Sequence, residues 1–140
     1  MKKRLVIVDG MGGGIGAQLV ERLRAAFPDR IEIIALGTNS TATERMVKAG
    51  ADRGASGENA IIVSVGLGSL ILGPIGIVIP NGMLGEVSPA IAAAVLAAPG
   101  ERILVPVAQD HFVLAGMEAK PLGRLLDEAA ALAKERLAVV

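Results

Sequence analysis

Leu5-Val6-Ile7-Val8-Asp9-Gly10-Met11-Gly12-Gly13-Gly14-Ile15-Gly16 decides how the rest of this chain is read. The four apolar residues, three of them β-branched, have the look of a strand buried on both faces. Five glycines then fall within the seven residues from Gly10 to Gly16. Beyond them Ile15, Leu19, Val20, Leu23 and Phe27 recur at helical spacing, with Glu21, Arg22 and Arg24 on the other side. Strand, glycines and helix in that order put bare backbone at the head of a helix. Unpaired N–H groups and the positive end of the helix dipole there favour an anion. Two patterns overlap in the loop. Gly12, Gly14 and Ala17 fit G-x-G-x-x-A, and Gly10, Gly14 and Gly16 fit G-x-x-x-G-x-G. Each is a way of bringing a pyrophosphate close to a helix N-terminus. The candidate binding residues are therefore Asp9, Gly10, Gly12, Gly13, Gly14, Ile15 and Gly16.

Composition narrows the classes of function. A chain of 140 residues has room for one domain, expected over 1–140, and little room for a separate catalytic domain. Lys+Arg and Asp+Glu are equal at 14 each, so no net field points to nucleic acid or to an anionic membrane. Phe27 and Phe112 are the whole aromatic complement, which removes a stacking platform for bases. Cysteine is absent and His111 is the single histidine, so no metal site is expected. Lys2-Lys3-Arg4 ahead of Leu5–Val8 imitates the start of a signal peptide, but Asp9 cuts the apolar run too short. Ala60–Pro80 carries no charge and is long enough to raise the question of a membrane span. Its glycines and its two prolines, Pro74 and Pro80, fit the turns of a buried α/β core better. The expectation is a cytoplasmic protein without a membrane or nucleic-acid partner.

The remaining chain alternates strands and helices. Ile31–Leu36 reads as a second buried strand, and Gly37-Thr38-Asn39-Ser40 as a turn. Thr41 with Glu44 makes a capping box for a short helix that Gly50 stops. Ala51–Gly57 is small and polar, with Ser56 as an N-cap for a short helix from Glu58. Leu70-Ile71-Leu72 is a third strand, and Ile75–Ile79 reads equally as helix or strand. Ser88-Pro89 caps an Ala-rich helix, Ile103–Val107 is the next strand, and Phe112–Ala115 a short edge strand beside it. Pro121 opens a final helix with Leu122, Leu125, Leu126, Ala129, Leu132 and Ala133 on one face.

Such alternation predicts one Rossmann-like α/β domain: an open, mainly parallel sheet with helices on both faces. Ligands of such sheets bind beyond the carboxyl ends of the strands, where the strand order reverses. That crevice is expected between the strands ending at Val8 and Val107, lined by Asp9–Gly16 with Ala108, Gln109, Asp110 and His111. Thr38 and Asn39 would reach it from the side.

Two family resemblances rest on these residues. Val8–Gly16 resembles the cofactor loop of short-chain dehydrogenases, which implies NAD or NADP. Those enzymes work through a tyrosine, and this chain contains none. Leu36-Gly37-Thr38 stands where an acidic residue would hold the ribose of NAD, whereas Thr38, Asn39, Ser40 and Arg45 offer partners to the 2′-phosphate of NADP. The second resemblance spans the chain, through Asp9–Gly16, Ala35–Asn39, Gly57–Ile61, Gly73–Ile75 and Met83–Glu86. These segments are similar to a bacterial family of short Rossmann-like proteins known as a domain of unknown function, which implies the fold and no activity.

Polar residues outside the loop carry weaker signals. Asp9 is expected to bond the backbone amides that follow it. Glu58 and Asn59 suit a helix's first turn, and Asn81 and Glu86 flank Gly82-Met83-Leu84-Gly85 as loop-shaping or site residues. Asp110 beside His111 is a possible acid–base pair, with an exposed turn histidine as the plainer reading. The leading functional expectation is a small nucleotide- or dinucleotide-binding protein using NADP or NAD. The alternatives are a non-catalytic module for a phosphorylated or carboxylated metabolite, and a structural subunit of an oligomer. A 52% hydrophobic chain with an exposed sheet edge further predicts a homo-oligomer, most simply a symmetric dimer.

Overall fold

Successive side chains of a strand face opposite ways, and Leu5–Val8 uses both directions for burial. In the computed structural model, which describes residues 2–107 and 112–138, all four are fully buried. Leu5 and Ile7 pack into one apolar cluster, Val6 and Val8 into another. This strand, β1 (Lys3–Asp9), is the middle of a five-stranded, all-parallel sheet in the order β3-β2-β1-β4-β5. Its partners are β2 (Ile31–Gly37) on one side and β4 (Leu70–Pro74) on the other, with β3 (Arg53–Ser56) and β5 (Glu101–Val105) at the edges. Helices α1 (Gly14–Ala26), α2 (Ser40–Lys48) and α5 (Leu122–Leu137) contribute to the Leu5 cluster. Helices α3 (Glu58–Ser64) and α4 (Pro89–Ala97) cover the Val6 face. The Rossmann-like architecture expected from the alternation is the one observed.

Several local expectations are met and others corrected. Ser88 caps α4, its hydroxyl accepting from Ile91 N at 3.1 Å, with Pro89 in the first turn. The Thr41–Glu44 capping box does not form. Asn39 is the N-cap of α2 and accepts from Ala42 N at 2.8 Å, while Glu44 pairs with Lys48. Gly57, not Ser56, precedes α3. Ile75–Val78 is a short 3₁₀ turn, and Ala60–Pro80 divides among helix, strand and 3₁₀ turns. No helix among the described residues is long and apolar enough to cross a membrane. Strand β5 ends at Val105, where Pro106 has no N–H to continue the ladder. Residues 112–115 form no strand.

Strand β3 escapes the hydrophobic pattern because Arg53-Gly54-Ala55-Ser56 lies under α2. A Cβ on Gly54 would approach Thr43 Cγ2 to 2.7 Å and Val47 Cγ2 to 2.8 Å, so the strand stays small where the helix crosses it. Thr43 fastens the three elements. Its buried hydroxyl accepts from Gly37 N at 3.1 Å and from Ser56 Oγ at 2.7 Å, and lies 3.1 and 3.2 Å from the Asn39 and Ala55 carbonyls.

Replacing that hydroxyl by a methyl of similar shape removes an acceptor of Gly37 N and the partner of the Ser56 hydroxyl. Thr43→Val is expected to lower the unfolding free energy by about 1–3 kcal/mol in urea titration, with Thr43→Ser restoring most of it. Equal stability of the Val variant and the wild type would overturn the assignment of Thr43 as the fastener of β3.

Candidate functional site

The strand order turns back between β1 and β4: β2 and β3 extend to one side, β4 and β5 to the other. The crevice at the carboxyl ends therefore opens between Asp9 and Pro74. The sequence-based placement between the strands ending at Val8 and Val107 is corrected in one respect, because β4 intervenes and β5 pairs with β4. Close passage of the backbone there explains Gly73, whose Cβ would run into the Val8 carbonyl. A cavity of about 290 Å³ fills the crevice, lined by Asp9–Ile15 with Pro74, Gly76, Met83 and Val107. Ala108, Gln109, Asp110 and His111, expected on its rim, lie outside the described residues.

Asp9 governs the shape of the glycine loop. It is 4% exposed, and its two carboxylate oxygens accept from Gly10 N and Gly16 N, each at 2.7 Å. One side chain thus closes the loop onto the first turn of α1: the bond to the following amide matches the local role expected for it, and the reach to Gly16 goes beyond that role. Burial pushes the Asp9 carboxyl above the usual range, against the two amides and the nearby Arg45 guanidinium; the charge of Glu86 adds to the rise. Gly13 sits at φ 73°, donates to Gly10 O at 2.9 Å, and lies so close to α2 that a Cβ would meet Ala42 Cα at 2.7 Å. Its glycine is required twice over.

Glu86 is the residue the sequence left among the unplaced polar candidates. Its Oε1 accepts from Thr38 Oγ1 at 2.6 Å, Asn39 Nδ2 at 2.8 Å and Met11 N at 2.9 Å. The Thr38 hydroxyl first, then the Met11 amide and Asn39, hold the Glu86 carboxyl below its ordinary range against a smaller effect of burial. The loop that delivers it is tightly wound: Asn81, Met83 and Leu84 have φ of 63°, 55° and 56°, in the left-handed region. Thr38 and Asn39 thus face a carboxylate of the protein itself. Arg45 reaches over the loop from α2 and donates to Gly12 O at 3.3 Å.

Seven backbone N–H groups run from Gly10 to Gly16. Gly10 and Gly16 are held by Asp9, Met11 by Glu86, and Gly13 by Gly10 O. Gly12, Gly14 and Ile15 donate to nothing among the described residues. All three line the cavity, with the Arg45 guanidinium beside two of them: Cβ atoms at Gly14 and Gly12 would lie 3.3 and 3.8 Å from its Nη1. Of the loop residues predicted as site residues, Asp9, Gly10, Gly12, Gly13, Gly14 and Ile15 line the cavity, Gly16 is turned to Asp9, and Thr38 and Asn39 are diverted to Glu86. Pro74, Gly76 and Met83 were not foreseen as lining residues, since only the strand order puts them there.

Comparison with known proteins adds the following. The family model "Domain of unknown function (DUF3842)" matches residues 4–138, so the chain belongs to that family. Curated proteins offer no significant sequence match. Among solved structures, the chain is similar to a dodecameric FMN-dependent UbiX-like decarboxylase from Escherichia coli O157:H7. The TM-score is 0.51 at 14% identity, over 96% of this chain and 95% of that one. This likeness is one of fold. The expectation of NADP or NAD is overturned: the fold match is to an FMN-dependent protein, and two of the four side chains assigned to the 2′-phosphate of NADP, Thr38 and Asn39, are engaged by Glu86. Two of the loop amides that a pyrophosphate would seek, those of Met11 and Gly16, are also taken by carboxylates.

Glu86→Gln tests the clasp through pH. A carboxyl held below its ordinary value of 4.5 stabilises the fold above that pH, and the contribution disappears as acid protonates it in the folded state. The variant is expected to be less stable than wild type at pH 7, with the gap narrowing once the pH falls below about 4.5. A gap that ignores pH would remove the charge-assisted clasp.

Proposed function

We propose that the crevice between β1 and β4 binds a nucleotide through a phosphate monoester, with flavin mononucleotide as the ligand class. The observation that carries this reading is the set of three unpaired amides, Gly12, Gly14 and Ile15, at the head of α1 beside Arg45. Three amides and a guanidinium suit the three terminal oxygens of one phosphate. The opposite lip is of the chemistry that an apolar ring face requires, with Pro74, Gly76, Met83 and Val107. When bound, a flavin would supply redox or adduct chemistry; the residues named here hold it and orient it. The FMN dependence stated for the similar solved structure supports the same ligand class.

Gly14→Leu tests the reading with little disturbance of the loop's closure, because the three atoms nearest its Cβ all belong to the flexible end of Arg45. Flavin mononucleotide at 100 times its Kd should stabilise the wild type by about 2.7 kcal/mol, seen as a rise in melting temperature. Gly14→Leu should fold with the wild-type circular dichroism spectrum and lose the shift. An unchanged shift in the variant, or none in the wild type, overturns the proposal.

Self-association is part of the same proposal. Phe112, Val113, Leu114, Met117 and Leu122 expose apolar surface around a groove of about 530 Å³ near the end of edge strand β5. The similar solved structure is a dodecamer. Light scattering on the purified chain is expected to give a mass of at least two copies, and Val113→Lys to lower it. A monomer at micromolar concentration would refute this part.

A further inference from the structure

We infer that Glu86 sets the selectivity of the crevice, admitting ligands that end in a single phosphate and rejecting those with a diphosphate. The inference rests on the proposed binding of a phosphate monoester and names what that site excludes. Three observations lead to it. Glu86 takes the amide of Met11, so a carboxylate of the protein already stands at one end of the row of loop N–H groups. It is fixed there by Thr38 and Asn39, donors from a different element, so that swinging aside would break three hydrogen bonds at once. All three donors converge on Oε1, and Oε2 has no hydrogen bond among the described residues.

The consequences differ for the two kinds of ligand. A monoester phosphate uses Gly12, Gly14 and Ile15 and meets Glu86 only at long range. A diphosphate needs further donors along the loop, and the next amide in that direction, Met11, is held by a negative charge. Gly16, at the other end, is held by Asp9. The second phosphate then meets a carboxylate where a pyrophosphate-binding loop offers an amide. Two like charges held side by side repel, and removing one of them is expected to change affinity on the order of tenfold.

Flavin mononucleotide and flavin adenine dinucleotide share their ring and ribityl chain and differ in the second phosphate and its adenosine. The experiment measures Kd for both by fluorescence quenching, with wild type, Glu86→Gln and Glu86→Asp, each checked for folding by circular dichroism. Wild type should prefer the mononucleotide. Glu86→Gln, which keeps an acceptor but loses the charge, should narrow that preference about tenfold, chiefly by tighter dinucleotide binding. Glu86→Asp should retain the preference. An unchanged preference in Glu86→Gln means that size does the excluding and overturns the inference alone, with mononucleotide binding intact. Dinucleotide binding as tight as mononucleotide binding by wild type overturns it without recourse to any variant. Binding of neither flavin by wild type removes the proposed function together with this inference.

Discussion

The Asp9 carboxylate is the constraint on which this site depends. It stands at the end of the central strand, nearly out of water, and holds Gly10 and Gly16 at once. Removing a carboxylate from water is costly, and the pKa direction of Asp9 shows that burial outweighs its two amide bonds. Such a residue persists because it settles geometry. Without the bridge, five glycines in seven residues would have a large choice of conformations between β1 and α1. With it, Gly13 is pressed against α2, and the amides that remain unpaired are directed to one cavity.

A second carboxylate then shapes the site from outside. Glu86 arrives on a loop with three non-glycine residues in left-handed conformations, each costing on the order of 1 kcal/mol. Its three charge-assisted hydrogen bonds, all to one carboxylate oxygen, hold that loop down. The clasp joins the loops after β1 and β2 to the segment between β4 and α4. The crevice at the point of strand reversal is thus bordered by three elements distant in sequence and locked by one side chain.

Much of the fold was legible in the sequence because its signals are local. The run Leu5–Val8, the helical spacing from Ile15 to Leu23 and the Ser88-Pro89 cap each state their conformation within a few residues. Strand β3 was not legible, since contact with α2 has replaced its apolar residues by Gly54 and Ala55. The cap of α2 went to Asn39 instead of Thr41 because Asn39 is held extended by its bonds to Met11 O and Glu86. The crevice was assigned to the wrong neighbouring strand for the same reason. Strand order is a long-range property, and no pattern within Leu70–Leu72 reveals on which side of β1 it falls.

The glycine spacing is the instructive case. Both patterns in Gly10–Gly16 correctly announce a strand, a tight turn and a helix packed close together, because those are the steric demands that glycines meet. Neither pattern says which amides stay free. That depends on Asp9, within the loop, and on Glu86, some seventy-five residues away by the separation of its bond to Met11. A dinucleotide fingerprint and a monophosphate cradle can therefore share one glycine pattern and differ only in the carboxylates around it. In such loops the count of unpaired N–H groups and the charge beside them decide what can bind, and the proposed single phosphate rests on both.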